Sequence, residues 1–203
     1  MSIIKGALQY GVKFERRLTA KGFAGGRLET ICATAGVNIR MIYHYFGGKE
    51  GLYIAALEET LSGLRNEQVK LDFDAASPME AMLQLFEFTS EHFAGHPRLI
   101  SLLSGENLLQ AKYLKRLNRT PSISSPMIAQ LKKIISRSEA MGCFRRGLDP
   151  LYLYVLIVSV SYFHLPNGYI LSLILQKDTF EKEWLAQHRM IARDLILRYV
   201  EAI

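Results

Sequence analysis

The sequence predicts an all-α fold, and three observations carry that prediction. Apolar residues recur at intervals of three and four along most of the 203 residues, which is the spacing of one face of a helix. Few segments alternate strictly between polar and apolar residues, and no strand–helix–strand alternation is visible. The composition, 49% apolar and 22% charged, is that of an ordinary globular protein and excludes collagen-like, low-complexity and disulfide-stapled chains.

The individual helices follow from this periodicity and from the turn residues between them. Asn38 is a suitable N-cap for a short helix, and Ser77-Pro78 followed by Glu80 marks the start of a longer one. Turn formers from Asp72 to Pro78 make the clearest linker. The predicted helices cover about 4–22, 27–34, 38–45, 49–70, 78–95, 98–117 (as one or two helices), 127–141, 150–165, 168–176 and 179–202.

One stretch raises the question of a membrane span, because residues 150–176 contain no Lys, Arg, Asp or Glu and are long enough to cross a bilayer. Pro166-Asn167-Gly168 interrupts the stretch, so we expect a buried helix followed by a shorter one and no membrane segment. The two cysteines, Cys32 and Cys143, cannot form a disulfide framework, and the N-terminus lacks the features of a signal peptide. These features favour a cytoplasmic protein.

Positive charge is concentrated in the first quarter of the chain. Residues 1–50 carry eight Lys and Arg against three acidic residues, whereas residues 51–203 carry seventeen against sixteen. This asymmetry indicates a basic segment that faces a polyanion, attached to a nearly neutral body. We therefore expect two domains, 1–50 and 51–203.

Residues 28–46 have the pattern of a helix-turn-helix. Two short amphipathic helices flank a turn at Gly36, where a left-handed backbone conformation costs glycine little. Three apolar side chains can hold the second helix against the first: Val37, Ile42 and Phe46. Arg40 is then the natural base reader in a major groove, because a guanidinium can bond guanine O6 and N7 together.

This stretch and its flanks resemble the DNA-binding domain of the TetR/AcrR type of transcriptional regulator. The family pattern is a Lys-Gly-Phe-like turn, a helix-turn-helix core with Ala-Gly-Val, and Tyr-x-x-Phe-x-x-Lys-Glu-x-Leu. Here the pattern reads Lys21-Gly22-Phe23, Ala33-Thr34-Ala35-Gly36-Val37, and Tyr43-His44-Tyr45-Phe46-Gly47-Gly48-Lys49-Glu50-Gly51-Leu52. The resemblance implies a ligand-responsive regulator, most often a repressor, that binds a palindromic operator on double-stranded DNA as a homodimer.

The resemblance also implies which residues touch DNA. Residues 38–44 would form the recognition helix, and several neighbours would contact phosphates, although Gly26 and Gly48 replace hydroxyl residues that often cap these helices. Ile39 and Met41 could serve either the core or the groove. The predicted contacts are Arg27, Thr30, Asn38, Ile39, Arg40, Met41, Tyr43, His44, Tyr45 and Lys49.

The larger domain shows no nucleophile–base arrangement, so we expect neither catalysis nor a cofactor. Polar side chains interrupt its apolar faces, which is typical of a pocket for a small, largely apolar effector. The predicted ligand contacts are Phe86, Glu106, Asn107, Tyr162 and His164. Alternatively, Glu106 and Asn107 are satisfied structural groups and His164 caps a helix C-terminus.

The helices at 150–165 and 179–202 look too apolar for exposed surfaces. Burying them requires neighbours on several sides, which a homodimer through these two helices supplies. A monomer with a fully internal helix is the alternative.

Two further possibilities remain open at this point. Residues 3–9 resemble the family's opening helix but lie seven residues too far upstream of Gly22-Phe23, so the competing function is a soluble helical small-molecule binding protein with impaired or lost DNA recognition. His92 and His96, four residues apart beside Glu91, would face one metal ion on a continuous helix. Gly95 and Pro97 end the helix there, and we therefore expect no metal site.

Overall fold

The structure is a computed structural model that describes residues 27–117 and 125–202. Within these ranges the chain is helical, as predicted, apart from turns and an isolated bridge between Phe144 and Glu201. The predicted helix at 4–22 lies outside the described residues. The helices are α1 (Leu28–Ala35), α2 (Ile39–Phe46), α3 (Lys49–Val69), α4 (Pro78–Gly95), α5 (Pro97–Leu108), a 3₁₀ turn (Leu114–Arg116), α6 (Ser125–Met141), α7 (Pro150–Tyr162), α8 (His164–Leu175) and α9 (Lys182–Val200).

The chain divides into two compact units. We call residues 1–64 with 97–123 the N-terminal unit, and residues 65–96 with 124–203 the C-terminal unit. Helix α3 begins in the N-terminal unit and ends in the C-terminal unit. The functional division at residue 50 stays a prediction.

The N-terminal unit is built around one apolar cluster to which α1, α2, α3, α5 and the 3₁₀ region all contribute. Its aromatic centre is an edge-on pair of buried tyrosines, Tyr53 and Tyr113, with ring centroids 5.1 Å apart. The buried members are Leu28, Cys32, Ile42, Leu52, Tyr53, Leu57, Leu102 and Tyr113. Such burial, at about 25 cal/mol per Å² of apolar surface, provides the main stabilisation of helices as short as α1 and α2.

The turn between α1 and α2 has the predicted left-handed glycine. Gly36 has φ +69° and its N–H closes the end of α1 on Ala33 O. We expect Gly36→Ala to destabilise the N-terminal unit by about 1–2 kcal/mol, because any Cβ is disfavoured in this conformation. A Cβ there would meet no atom within 4 Å, so the cost is conformational and not steric.

Gly63 is the matched control for this prediction. It lies inside α3, and a Cβ on it would also meet no atom within 4 Å. Gly63→Ala should therefore stabilise the protein by about 0.5–1 kcal/mol. Urea unfolding of both variants measures the difference, and effects of the same sign would contradict a conformational origin.

The core of the C-terminal unit lies among α4, α6, α7 and α9, which pack against one another. Helix α4 starts with the predicted signal, because the Ser77 hydroxyl accepts from Glu80 N–H while the Glu80 carboxylate accepts from Ser77 N–H. The turn before it is held by Arg137, which donates to the main-chain oxygens of Phe73 and Ala76. This unit thus has a core independent of the helix-turn-helix.

The structure corrects the position of one predicted break. The sequence placed the interruption of the 150–176 stretch at Pro166-Asn167-Gly168, but α7 ends at Tyr162 and α8 begins at His164, with a bend of 50°. Pro166 is the third residue of α8, where the N–H that proline lacks would have no intrahelical partner. The proline is therefore accommodated inside the first turn of the second helix.

Among the described helices, none is by itself both long enough and apolar enough to cross a membrane. Within the part of the chain that the structure describes, only α7 and α8 taken together, across their bend, reach that length and composition. Helix α7 buries Leu153, Ile157 and Ser161 within the C-terminal unit.

Candidate nucleic-acid interface

One face of helix α2 packs against the core, and the opposite face is exposed to solvent. Ile42 is only 6% exposed, and Val37, Ile39 and Phe46 pack against the same apolar cluster. Asn38 caps the helix as predicted, with its Oδ1 accepting from Arg40 N–H at 2.9 Å. The core contacts and the cap together fix which side chains α2 presents outward.

The outward face of α2 is rich in groups that bind nucleic acid. Arg40, Met41, Tyr43, His44 and Tyr45 are all exposed, with Tyr43 at 58%. The rings of His44 and Tyr45 meet edge-on with centroids 4.9 Å apart. The sequence left undecided whether Ile39 and Met41 belong to the core or to the DNA-facing surface. In the structure Ile39 packs inward and Met41 lies at the surface.

The predicted phosphate contacts lie at the ends of neighbouring helices. Lys49 is the first residue of α3, where the unpaired N–H groups and the helix dipole favour an anion. Gly48, with φ +119°, brings the backbone close to the Tyr43 ring. Arg27 is the exposed N-cap residue of α1 without a side-chain cap hydrogen bond, and Thr30 is exposed in the first turn.

The structure brings further basic residues into the N-terminal unit. They belong to the predicted domain 51–203, whose net charge is close to zero. Glu50 accepts from Arg116 Nη1 at 3.1 Å and from the Tyr113 hydroxyl at 3.2 Å, and Lys112 Nζ lies 3.9 Å away. The hydrogen bond from Arg116 is the main reason that the pKa of Glu50 is lowered. The 3₁₀ region thus neutralises the acid beside Lys49.

This second basic segment could have been found in the sequence. Residues 107–120 carry four Lys and Arg and no acid, but the near-neutral sum over 51–203 hides them. Lys112, Lys115 and Arg116 are exposed in the N-terminal unit. The positive charge of this unit therefore comes from two separate stretches of sequence.

With this geometry in place, two family descriptions match the chain. "Bacterial regulatory proteins, tetR family" matches residues 15–56, and "Tetracyclin repressor-like, C-terminal domain" matches residues 78–196. The chain belongs to the TetR family. The first match contains the helix-turn-helix and its exposed face, and the second spans most of the C-terminal unit.

Relatives agree with this TetR assignment. The chain is 34% identical over 178 residues to the HTH-type transcriptional repressor NicS of Pseudomonas putida, covering 88% of this chain and 84% of that protein. It is 28% identical to the HTH-type transcriptional regulator RutR of Escherichia coli K12, over 67% of this chain and 62% of that one.

Two solved structures show that the fold is shared. A transcriptional regulator from Streptomyces coelicolor superposes with a TM-score of 0.69 at 19% identity, covering 96% of this chain and 97% of the other. FadR from Bacillus subtilis, in complex with stearoyl-CoA, gives 0.64 at 16% identity, covering 96% and 100%. The TetR-family chain is thus a DNA-binding transcriptional regulator and not an enzyme.

The five predicted ligand contacts of this TetR-family regulator do not fall in one compact unit. Glu106 and Asn107 belong to the N-terminal unit, whereas Phe86, Tyr162 and His164 belong to the C-terminal unit. Phe86 is a fully buried core residue, and Tyr162 packs edge-on against Phe93 with ring centroids 5.2 Å apart. Core packing accounts for Phe86 without a ligand.

One oxygen of the Glu106 carboxylate has a structural role, and the role of Glu106 as a ligand contact stays a prediction. The side chain is 1% exposed, and its Oε2 accepts from the N–H groups of Tyr113 and Leu114 at 3.1 and 2.9 Å. Burial and the nearby Glu106 carboxylate raise the pKa of Tyr53. Glu106 therefore fixes the segment that leads into the 3₁₀ turn, while Asn107 is exposed.

His164 begins α8 and does not cap the end of α7, so that structural alternative is wrong. Its ring lies 4.2 Å from that of His188 and 5.9 Å from that of Trp184, measured between centroids. Its Nδ1 is buried without a hydrogen-bond partner among the described residues. Burial, with a smaller effect from His188, lowers the pKa of His164 to about 4.

This pKa predicts a pH dependence of stability. The unfolded chain takes up a proton on His164 near its ordinary value of 6.5, before the folded protein does, so stability is highest above that pH and falls as the pH drops toward 4. We expect the loss to be about 1–2 kcal/mol, because the imidazole is partly exposed and screened by solvent. His92, whose pKa is lowered mainly by burial, acts in the same direction.

Comparison of variants isolates the contribution of His164. His164→Gln should flatten the dependence of the unfolding free energy on pH between 4 and 6.5, whereas the exposed His44→Gln should leave it unchanged. Urea unfolding at a series of pH values measures this pH dependence for each variant. Parallel curves for His164→Gln and wild type would contradict the assignment.

Proposed function

We propose that this protein is a repressor that binds a palindromic operator as a homodimer and responds to a small, largely apolar effector. The observation that carries the proposal is the division of α2 into a packed face and an exposed face with Arg40 near its capped N-terminus. The N-terminal residues of a recognition helix are the ones that reach base edges. A regulator of this type works in the cytoplasm.

The contacts divide into base readers and phosphate binders. Arg40 reads a base, with Met41 and His44 beside it in the groove, because all three lie on the exposed face of α2. The remaining side chains position the protein on the phosphate backbone without specifying sequence: Arg27, Thr30, Tyr43, Tyr45 and Lys49. Asn38 and Ile39 hold α2 in place: Asn38 caps the helix, and Ile39 packs against the apolar cluster.

The dimer forms through α7 and α9, the helices of the predicted interface. Both expose large apolar side chains on the surface of a single chain, including Tyr152 at 77% and Ile191 at 56%. Others on the same helices are Leu151, Val155, Leu195 and Tyr199. Several large apolar side chains exposed on two helices that pack against each other are typical of a protein–protein interface. A two-fold dimer matches a palindromic operator, since each subunit reads one half-site.

Effector control would act through α3. Only two residues separate this helix from α2, and it contains residues of both compact units. A shift of α3 on effector binding would change the spacing of the two recognition helices in the dimer. Such a shift requires the effector to bind the two states with different affinities. Bacillus subtilis FadR, which shares the fold, was solved in complex with stearoyl-CoA, and the apolar acyl chain of that molecule supports a largely apolar effector.

An electrophoretic mobility shift with the DNA upstream of the protein's own gene tests this function. We expect a complex at low protein concentration that resists an excess of unrelated DNA and dissociates when the effector is added. Equal competition by unrelated DNA would contradict operator recognition and favour a helical small-molecule binding protein that has lost it. If every compound that binds the protein leaves the complex intact, the effector mechanism is wrong.

A further inference from the structure

Three potential metal ligands meet where α3 and α4 end. Glu67 lies in the last turn of α3, His92 in the last turn of α4, and His96 directly follows α4. One ligand atom from each lies within 4.8 Å of the other two. The Glu67 Oε2 and the His92 Nδ1 are 2.8 Å apart, and the imidazole rings of His92 and His96 stack with centroids 4.1 Å apart.

The residues around this cluster differ from those that the sequence suggested. Helix α4 does end at Gly95, as predicted, but His96 still folds back over the last turn and stacks on His92. Glu91, the acid considered beside the histidines, hydrogen-bonds Arg189 at 2.7 Å instead. Glu67 takes its place as the third donor, and its distance in sequence is the reason that spacing alone could not find it.

Hydrogen bonding prepares His96 to bind a metal. Its Nδ1 lies 2.7 Å from the main-chain oxygen of His92, and since a carbonyl only accepts, the proton of the neutral imidazole sits on Nδ1. The lone pair is therefore on Nε2. A metal-bound histidine almost always makes such a second hydrogen bond, which fixes the ring and the tautomer.

The surroundings favour a cation and hold the central ligand in place. The carbonyl ends of α4 carry a partial negative charge, and the Glu67 carboxylate adds a full one. His92 is buried and lies against the ring of Phe88, with centroids 5.7 Å apart. Glu67 and His96 are more exposed and can adjust.

We propose that Glu67, His92 and His96 form a binding site for a divalent transition metal such as Zn²⁺. Two imidazoles and one carboxylate suit Zn²⁺, Ni²⁺ and Co²⁺, whereas Mg²⁺ and Ca²⁺ prefer oxygen donors alone. Bonds of about 2.0–2.2 Å require the donors to lie about 3.3 Å apart, so the exposed side chains must close by roughly 1.5 Å. The remaining coordination position is open to water or a small ligand.

Titration with Co²⁺ tests this site, because its ligand-field spectrum reports coordination directly. The full-length protein is prepared without a histidine tag, treated with chelator and titrated with Co²⁺, then with Zn²⁺. We expect saturable binding of one Co²⁺ per chain, displaced by Zn²⁺. His96→Gln and Glu67→Gln should weaken Co²⁺ binding by more than about 100-fold, since loss of even an outer-shell partner typically costs 10–100-fold.

The variants include matched controls on the same chain. His44→Gln and Glu59→Gln change exposed side chains on α2 and α3 outside the cluster, and both should bind Co²⁺ like wild type. Because His96 is exposed, its replacement should keep the helical circular dichroism and the unfolding midpoint of the metal-free protein. No saturable Co²⁺ spectrum, or equal affinity of wild type and His96→Gln, would overturn the proposal. The cluster would then be only a hydrogen-bonded contact between α3 and α4.

Discussion

Arg40→Ala is expected to lower the affinity for the operator by about 1–3 kcal/mol for each half-site and to relax the preference at one base pair. The side chain is exposed on α2, two residues after the capping Asn38, where a recognition helix approaches base edges. A guanidinium that bonds two acceptors of one guanine loses both bonds on truncation. Fluorescence anisotropy with the operator and with single-base variants measures the effect.

Lys49→Ala is the comparison that makes this prediction specific. Lys49 is the first residue of α3 and is expected to bind a phosphate, so its removal should weaken binding to all sequences alike. The dependence of log affinity on log salt should also become shallower, by about one unit for each phosphate that is no longer neutralised. If the two variants change sequence preference and salt slope in the same way, the division of roles is wrong.

Ile191→Glu is expected to convert the dimer into monomers. Ile191 is 56% exposed on α9 in the single chain, on the flank that carries Leu195 and Tyr199. A carboxylate buried there without a partner costs about 3–5 kcal/mol, and the two-fold axis imposes that cost on both subunits. Operator affinity should fall by about 10²–10⁴, because the two half-sites are no longer bound as a linked pair.

Ala186→Glu provides the control on the same helix. At 100° per residue, Ala186 lies about 140° from Ile191 around α9, on the opposite flank, and it is exposed. This variant should remain dimeric in sedimentation-velocity experiments. A dimeric Ile191→Glu protein, or monomers from both variants, would contradict an interface on this flank of α9.

Local signals made the helix-turn-helix predictable from the sequence. Asn38 as a cap, Gly36 in a left-handed turn and Ile42 on the inward face each depend on residues within a few positions, and the structure confirms all three. The capping box of Ser77 and Glu80 is of the same kind. Where a helix start is determined by its own neighbours, a single sequence is sufficient to find it.

Some side-chain roles depend on contacts that the sequence pattern did not show. Glu106 looked like a polar group in a pocket, and two main-chain N–H groups seven and eight residues later bond one oxygen of its carboxylate, Oε2. Phe86 is aromatic, as many ligand contacts are, but its side chain is buried in the core. The hydrogen bond between His92 and Glu67 joins side chains of two helices that are 25 positions apart in sequence. Each outcome depends on packing that periodicity along one helix does not report.

The bend between α7 and α8 shows a different limit. A proline often marks a helix boundary, but the first turn of a helix also tolerates it. Pro166 was therefore compatible with a break just before it or just after it. The structure places that break at Phe163. The break between two helices was predicted, and only its position within a few residues was not.

Selection of bound sequences from random double-stranded DNA tests the central claim, that the exposed face of α2 reads a palindromic operator, most directly. The wild-type protein should enrich an inverted repeat of two half-sites, separated by one helical turn or a multiple of it. The same selection with Arg40→Ala should lose one conserved base pair from each half-site and keep the spacing. No enriched sequence, a site without two-fold symmetry, or an identical site for both proteins would contradict the claim.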